Sequence, residues 1–185
     1  MATDNPPRGR HALLLIDLQR DFLAGDGRMP VARHQVTGVL VATGKVIARA
    51  MADGDLIVRI GNEFRPRSRI GNLLRHHAAM AGSAGAAWDD RVQAGGSVYL
   101  PKWKASAFCN PELGDLLAGA GVEQVSICGL YAGACVTATA RDARRRGLRV
   151  VVMRDAVADR SDRSREAALQ RLNRRGIELR YALVA

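Results

Sequence analysis

Four things are scarce in this chain of 185 residues. Cysteines number three, at positions 109, 128 and 135, an odd count without CxxC spacing. A disulfide framework and a structural zinc site are therefore not expected, and a reducing cytoplasm is the default compartment. Aromatic residues make up only 4%, too few to serve as stacking platforms for bases. Acids number 18 against 28 lysines and arginines, leaving a formal net charge of +10. Apolar runs are far shorter than a membrane span. The opening MATDNPPRGRH carries an acid and prolines but no apolar stretch, so residues 1–10 read as a short mobile lead and not as a signal peptide.

What is present is a core. Hydrophobic residues reach 48%, and one domain over 11–185 suits this length. The clearest basic runs, Arg144-Arg145-Arg146 and Arg174-Arg175, lie near expected helix C-termini. Cations are favoured there by the helix dipole. The expectation is thus solvated helix ends, with no nucleic acid and no membrane as partner.

Apolar runs alternate with helical spacing. Ala12 to Ile16 is apolar on both faces, as a central parallel strand requires, and ends at Asp17. A loop over 18–30, a helix over 31–53 and a strand over 55–60 follow. Residues 61–96 form a long connection with basic residues, a short helix near 71–77 and Trp88. Such length signals function or an oligomer contact. A third strand over 97–101 leads into Lys102-Trp103-Lys104. Asn110 and Pro111 have the cap and first-turn chemistry of a helix start. The strand VSICGL, a small-residue turn YAGA and a helix from Cys135 come next. A strand over 148–154, a helix from Ser161 or Asp162 to Arg175 and an edge strand over 177–184 close the chain. This alternation predicts an α/β parallel sheet with helices on both faces. Sites in such sheets lie at the carboxyl ends of the strands, where Asp17, Lys102 and Cys135 all fall.

Cys135 stands at a helix N-terminus just past a strand, a location expected to lower a thiol pKa. Alone, a cysteine there is more often a small buried apolar residue. Asp17 alone reads as a loop acid and Lys102 as a surface cation. Together they supply a nucleophile, an acceptor for its proton and a positive charge to stabilise the thiolate.

These segments resemble the isochorismatase-like hydrolases, the superfamily of nicotinamidases and N-carbamoylsarcosine amidohydrolase. ALLLIDLQRDF at 12–22 is similar to the first-strand motif, PKWKASAF at 101–108 to the lysine motif, GLYAGACVTATARDA at 129–143 to the cysteine motif and RVVVMRDAVAD at 149–159 to the strand after it. The resemblance implies a three-layer α/β/α fold with a six-stranded parallel sheet, and a pocket often completed in a homo-oligomer, a dimer or tetramer. It implies an Asp17, Lys102, Cys135 triad. It also implies a cis Leu130–Tyr131 peptide, with the Tyr131 and Cys135 N–H groups as an oxyanion hole. The expected activity is hydrolysis of a C–N bond in a small amide, ureide or carbamoyl compound through a Cys135 thioester, without a cofactor.

Three departures bear on the substrate. The Asp-x-His with which nicotinamidases bind a metal is missing: residues 58–64 read VRIGNEF, and His76 and His77 are adjacent. No metal is expected. Ala132-Gly133 stand where relatives commonly have Thr-Asp, and Tyr131-Ala132 resembles the turn of true isochorismatases. That keeps open a vinyl-ether hydrolase, alongside a silent member of the fold. Finally, Asn62, Arg65, Arg67 and Arg69 follow the second strand, where an arginine can grip a carboxylate bidentately. An anionic substrate is expected there, with Trp103, Phe108 and Tyr131 as further contacts.

Overall fold

The computed structural model describes residues 10–65 and 69–182. Residues 1–9 of the expected lead, Arg67 and residues 183–184 of the expected edge strand lie outside them, while Arg10 opens the first strand. Six strands form one sheet in the order β3-β2-β1-β4-β5-β6, and every pairing is parallel. They are β1 (Arg10–Ile16), β2 (Leu56–Asn62), β3 (Val98–Lys102), β4 (Val122–Leu130), β5 (Arg149–Ala158) and β6 (Glu178–Arg180). The order reverses between β1 and β4. In doubly wound sheets that crevice is where ligands bind.

Both faces of the sheet are covered, which is why its strands read as continuous apolar runs. One face packs against α4 (Pro111–Gly119), α5 (Thr137–Arg145) and α6 (Asp162–Arg174). Leu14, Ile16, Ile60 and Ile127 meet Leu113, Ala140, Ala143 and Leu169 there. The other face packs against α2 (Arg33–Asp53) and the connections around it, with Leu13, Leu15 and Val151 against Val39, Ile47 and Phe22.

Local chemistry sets the boundaries. The Asn110 side chain accepts from the Glu112 N–H, with Pro111 opening α4. Ser161 and Ser164 form a reciprocal capping box on α6. The expected loop over 18–30 contains a one-turn helix, α1 (Arg20–Leu23). The helix expected to reach His77 stops earlier: α3 covers Arg69–Leu74, and His76 and His77 follow at positive φ (50° and 57°). β5 runs to Ala158, past Asp155 where the sequence suggested an end, so Asp159 stands at its carboxyl end.

Four strands finish along one edge of the sheet. Ile16 pairs with Ile60 on β2 and with Gly129 on β4, and Asn62 pairs with Lys102 on β3. Gly129 permits this approach: a Cβ there would stand 2.0 Å from the Ile16 carbonyl oxygen. Among the described residues, no helix is long and apolar enough to cross a membrane.

Candidate active site

Asp17 is the first residue past β1. Its φ is 55°, a left-handed conformation that aspartate tolerates better than most residues. Its backbone is pinned: the Asp17 N–H donates to the Ile60 carbonyl (2.7 Å), and the Asp17 carbonyl accepts from the Gln19 N–H (2.8 Å). The side chain is fully buried.

Lys102, the last residue of β3, is 0% exposed, the largest side chain in the core to be so. An ammonium costs several kcal/mol to bury unless it is paired and hydrogen-bonded. Here Nζ lies 2.9 Å from Asp17 Oδ2. It donates to Asn62 Oδ1 (2.6 Å), to the Lys104 carbonyl (3.2 Å) and to Cys135 Sγ (3.3 Å). Neither Asp17 oxygen has a hydrogen bond of good geometry, so the carboxylate meets Lys102 as an ion pair and keeps acceptor capacity.

Cys135 sits in a π-helical turn, Ala132–Val136, between β4 and α5. π-turns of this kind occur frequently at functional sites. The Leu130–Tyr131 peptide before it is cis. Cys135 is buried, and burial, with the nearby Asp17 charge, pushes its thiol up to about 12 against the pull of Lys102. This corrects the expectation of a depressed thiol pKa. A helix dipole is worth about 0.3–2 kcal/mol, and desolvation outweighs it here. Burial also raises the Asp17 carboxyl, opposed mainly by Lys102. Burial disfavours the Lys102 charge, yet Asp17 and Cys135 more than offset it, so its pKa is raised. The cluster therefore keeps its ammonium, while a carboxyl and a thiol, both with raised pKa values, compete for one proton.

The cluster opens into a pocket of about 670 Å³ whose lining includes Asn62, Phe64, Trp103, Tyr131 and Cys135. Asn62 therefore has two faces: its oxygen holds Lys102, and its edge meets the pocket. The Tyr131 ring lies edge-on to Phe22, 5.7 Å between centroids, and its hydroxyl donates to the Met29 carbonyl. Trp103 is 39% exposed, with the Arg65 guanidinium 5.7 Å over its ring. Arg65 stands beyond the lining, at the edge of Trp103. Phe108 is absent from the wall and is corrected to a core residue. The Ala107 N–H donates to Thr139 Oγ1, which draws the segment onto α5. Phe108 is buried there with the Arg146 guanidinium 4.3 Å from its ring.

Several residues near the site were not legible as such. Gln19 is buried; its amide donates to the Asn62 and Ala86 carbonyls and its oxygen accepts the Asn62 N–H. It thereby fixes the residue that holds Lys102. Asp159 Oδ2 accepts the Gly133 N–H (2.7 Å), tying the thiol-bearing turn to the end of β5. Arg75, Arg160 and Arg171 line the pocket from segments far apart in the chain. Only the Gln19 motif position offered a sequence signal; the strand-end rule pointed to Asp155, four residues short of Asp159.

The metal-binding pattern of nicotinamidases does not fit here. No histidine stands at the end of β2, Asn62 Oδ1 is committed to Lys102, and His76 and His77 lie in a turn. Among the described residues, no three His, Cys, Asp or Glu side chains cluster as a metal would require.

The isochorismatase domain matches residues 11–181. A streptothricin hydrolase of Streptomyces noursei is 33% identical over 80% of this chain and 54% of its own length. The chain thus spans about half the length of the streptothricin hydrolases it matches. A maleamate amidohydrolase of Pseudomonas putida is 33% identical over 85% of this chain and 76% of its own. The crystal structure of a pyrazinamidase of Pyrococcus horikoshii in complex with zinc superposes with a TM-score of 0.83 at 30% identity, over 93% of this chain and 99% of that one. On the match over nearly its whole length, on the sheet order and on these relatives, the chain belongs to the isochorismatase family.

Proposed function

We propose that this protein is a cysteine hydrolase that cleaves a C–N bond of a small amide, ureide or carbamoyl compound. One observation carries the reading. A buried ammonium, Lys102 Nζ, touches both a carboxylate (2.9 Å) and a thiol (3.3 Å) at the floor of a pocket. Burying three ionisable groups together is costly, and active sites are where such costs are met. The names of the relatives, streptothricin hydrolase and maleamate amidohydrolase, support the same class of reaction.

In this reading Asp17 accepts the Cys135 proton as Sγ attacks the carbonyl carbon. Lys102 stays charged and offsets the negative charge that moves from carboxylate to sulfur. The backbone N–H groups of Tyr131 and Cys135 hold the oxyanion, where one donor is worth about 3 kcal/mol. The C–N bond breaks, and the leaving nitrogen takes the proton from Asp17. Water then attacks the thioester, giving up its proton to Asp17, and Sγ recovers a proton as the acid departs. A thiol that ionises only at about 12 suits this scheme, because the thiolate forms as the proton is handed to Asp17 and not beforehand.

The test is a panel of amides, ureides and carbamoyl acids assayed with wild type and Cys135→Ser, with mass spectrometry on Cys135. Turnover that disappears in the variant, with an acyl adduct on Cys135 of the wild type, is the expected result. Hydrolysis of these compounds that persists in Cys135→Ala would overturn the thioester route, and turnover of a vinyl ether alone, retained in that variant, would overturn the C–N reading.

A further inference from the structure

The wall formed by α6 and the thiol-bearing turn has an unusual charge balance. Asp159 is the only carboxylate in the pocket lining among the described residues. Both its oxygens are spoken for: Oδ2 accepts the Gly133 N–H, and Oδ1 accepts the Arg160 N–H and the Ser164 hydroxyl. Besides Lys104, the cations of the lining are three arginines, and none of them has a carboxylate partner among the described residues. Arg160 lies 5.7 Å over the Tyr131 ring. Arg75 lies 3.8 Å over Phe64; it donates to Asn72 Oδ1 (3.3 Å), and its Nε is buried without a hydrogen bond. Arg171 makes no hydrogen bond or ion pair among the described residues.

Gly133 decides what Arg171 can reach. A Cβ at that position would stand 3.1 Å from Asp159 Oδ2 and 3.6 Å from an Arg171 guanidinium nitrogen. The guanidinium therefore lies directly over bare backbone, two residues before the thiol. Any longer side chain at 133 would fill that gap and touch the cation. Resting on the amidohydrolase reading above, we propose that the substrate carries a carboxylate remote from its scissile carbonyl, and that Arg171 binds this carboxylate through the gap Gly133 leaves open. Arg171, and not Arg65 at the edge of Trp103, is then the specificity-determining cation. A guanidinium over a pocket wall can hold a carboxylate with two parallel hydrogen bonds. The spacer between the two ends crosses the aromatic lining of Phe64, Trp103 and Tyr131.

Matched probes test this: the anionic monoamides succinamate and phthalamate, and their neutral diamides succinamide and phthalamide. The first readout is protection of Cys135 from iodoacetamide, followed by mass spectrometry, which needs no turnover. In wild type the monoamides should protect at concentrations at least tenfold lower than the diamides. Arg171→Met should erase that preference by weakening the monoamides tenfold or more while leaving the diamides within twofold. Arg171→Lys should restore part of it. Equal protection by acid and diamide, no protection by any probe, or a preference that survives Arg171→Met would each overturn the proposal. Ammonia release is the second readout and bears on the amidohydrolase reading alone. Acid-selective protection without ammonia from any probe keeps the carboxylate subsite, whereas ammonia released equally from acids and diamides removes it and keeps the hydrolase.

Discussion

Lys102 and Lys104 are two positions apart and carry the same formal charge, yet they belong to different regions. Lys102 ends a strand, is wholly buried and has four polar neighbours; Lys104 follows in a bend, is exposed at the pocket lining and gives the buried cluster only its backbone carbonyl. The same contrast separates the floor of the pocket from its rim. On the floor, Asp17, Asn62, Lys102 and Cys135 come from the ends of β1, β2 and β3 and the turn after β4, each fixed by sheet register. On the rim, Arg65, Arg160 and Arg171 extend from loops and α6 toward solvent. A buried charge must be answered by its neighbours or the fold suffers. A rim charge is answered by water and is free to answer a ligand. The floor is thus built for chemistry, and the rim for choice of substrate.

The sharpest way to break that contrast is to remove the buried cation. Lys102→Met should abolish turnover and cost about 3–5 kcal/mol of stability near neutral pH, because Asp17 is left unpaired. The loss should shrink on acidification. The Asp17 carboxyl is already raised by burial, and without Lys102 it rises further, so the penalty accrues as pH climbs from the unfolded value of about 3.9 toward the folded one. Urea titrations at pH 5 and pH 8 measure this, and equal losses at both would show that Asp17 is not the group left exposed to the change.

Cys135→Ser should retain the fold, with an unfolding free energy from urea titration unchanged to within about 1 kcal/mol, and lose at least about 10⁴-fold in kcat. Alkylation of wild-type Cys135 should keep accelerating with pH toward about 12. A plateau near the ordinary thiol value of about 8.5 would show that dipole and Lys102 outweigh burial after all. Asn62→Ala removes one hydrogen bond from the ammonium and should lower kcat about 10- to 100-fold with a smaller change in KM. The smallest effect belongs to Phe108→Leu, with a loss of roughly 1 kcal/mol of stability and an unchanged KM. A KM shift there would return Phe108 to the pocket wall.

The sheet class, its helices on both faces and the strand ends bearing Asp17, Lys102 and Cys135 were all legible in the chain. Apolar periodicity and cap chemistry are local, and local patterns survive in one dimension. Arg160, Arg171 and Asp159 were not legible, because a pocket wall gathers residues that share a surface and no spacing. Even the thiol pKa was misread from sequence, since a helix start is visible in the chain while burial is not. By itself, the sequence determined which strands form and which reactive groups end them. The tertiary structure alone decided that the Lys102 ammonium is wholly buried between Asp17 and Cys135, that the thiol is pushed up and not down, and that a bare glycine leaves Arg171 facing the pocket. Desolvation and pairing energies depend on the neighbours that packing supplies, and only the folded sheet brings those neighbours together.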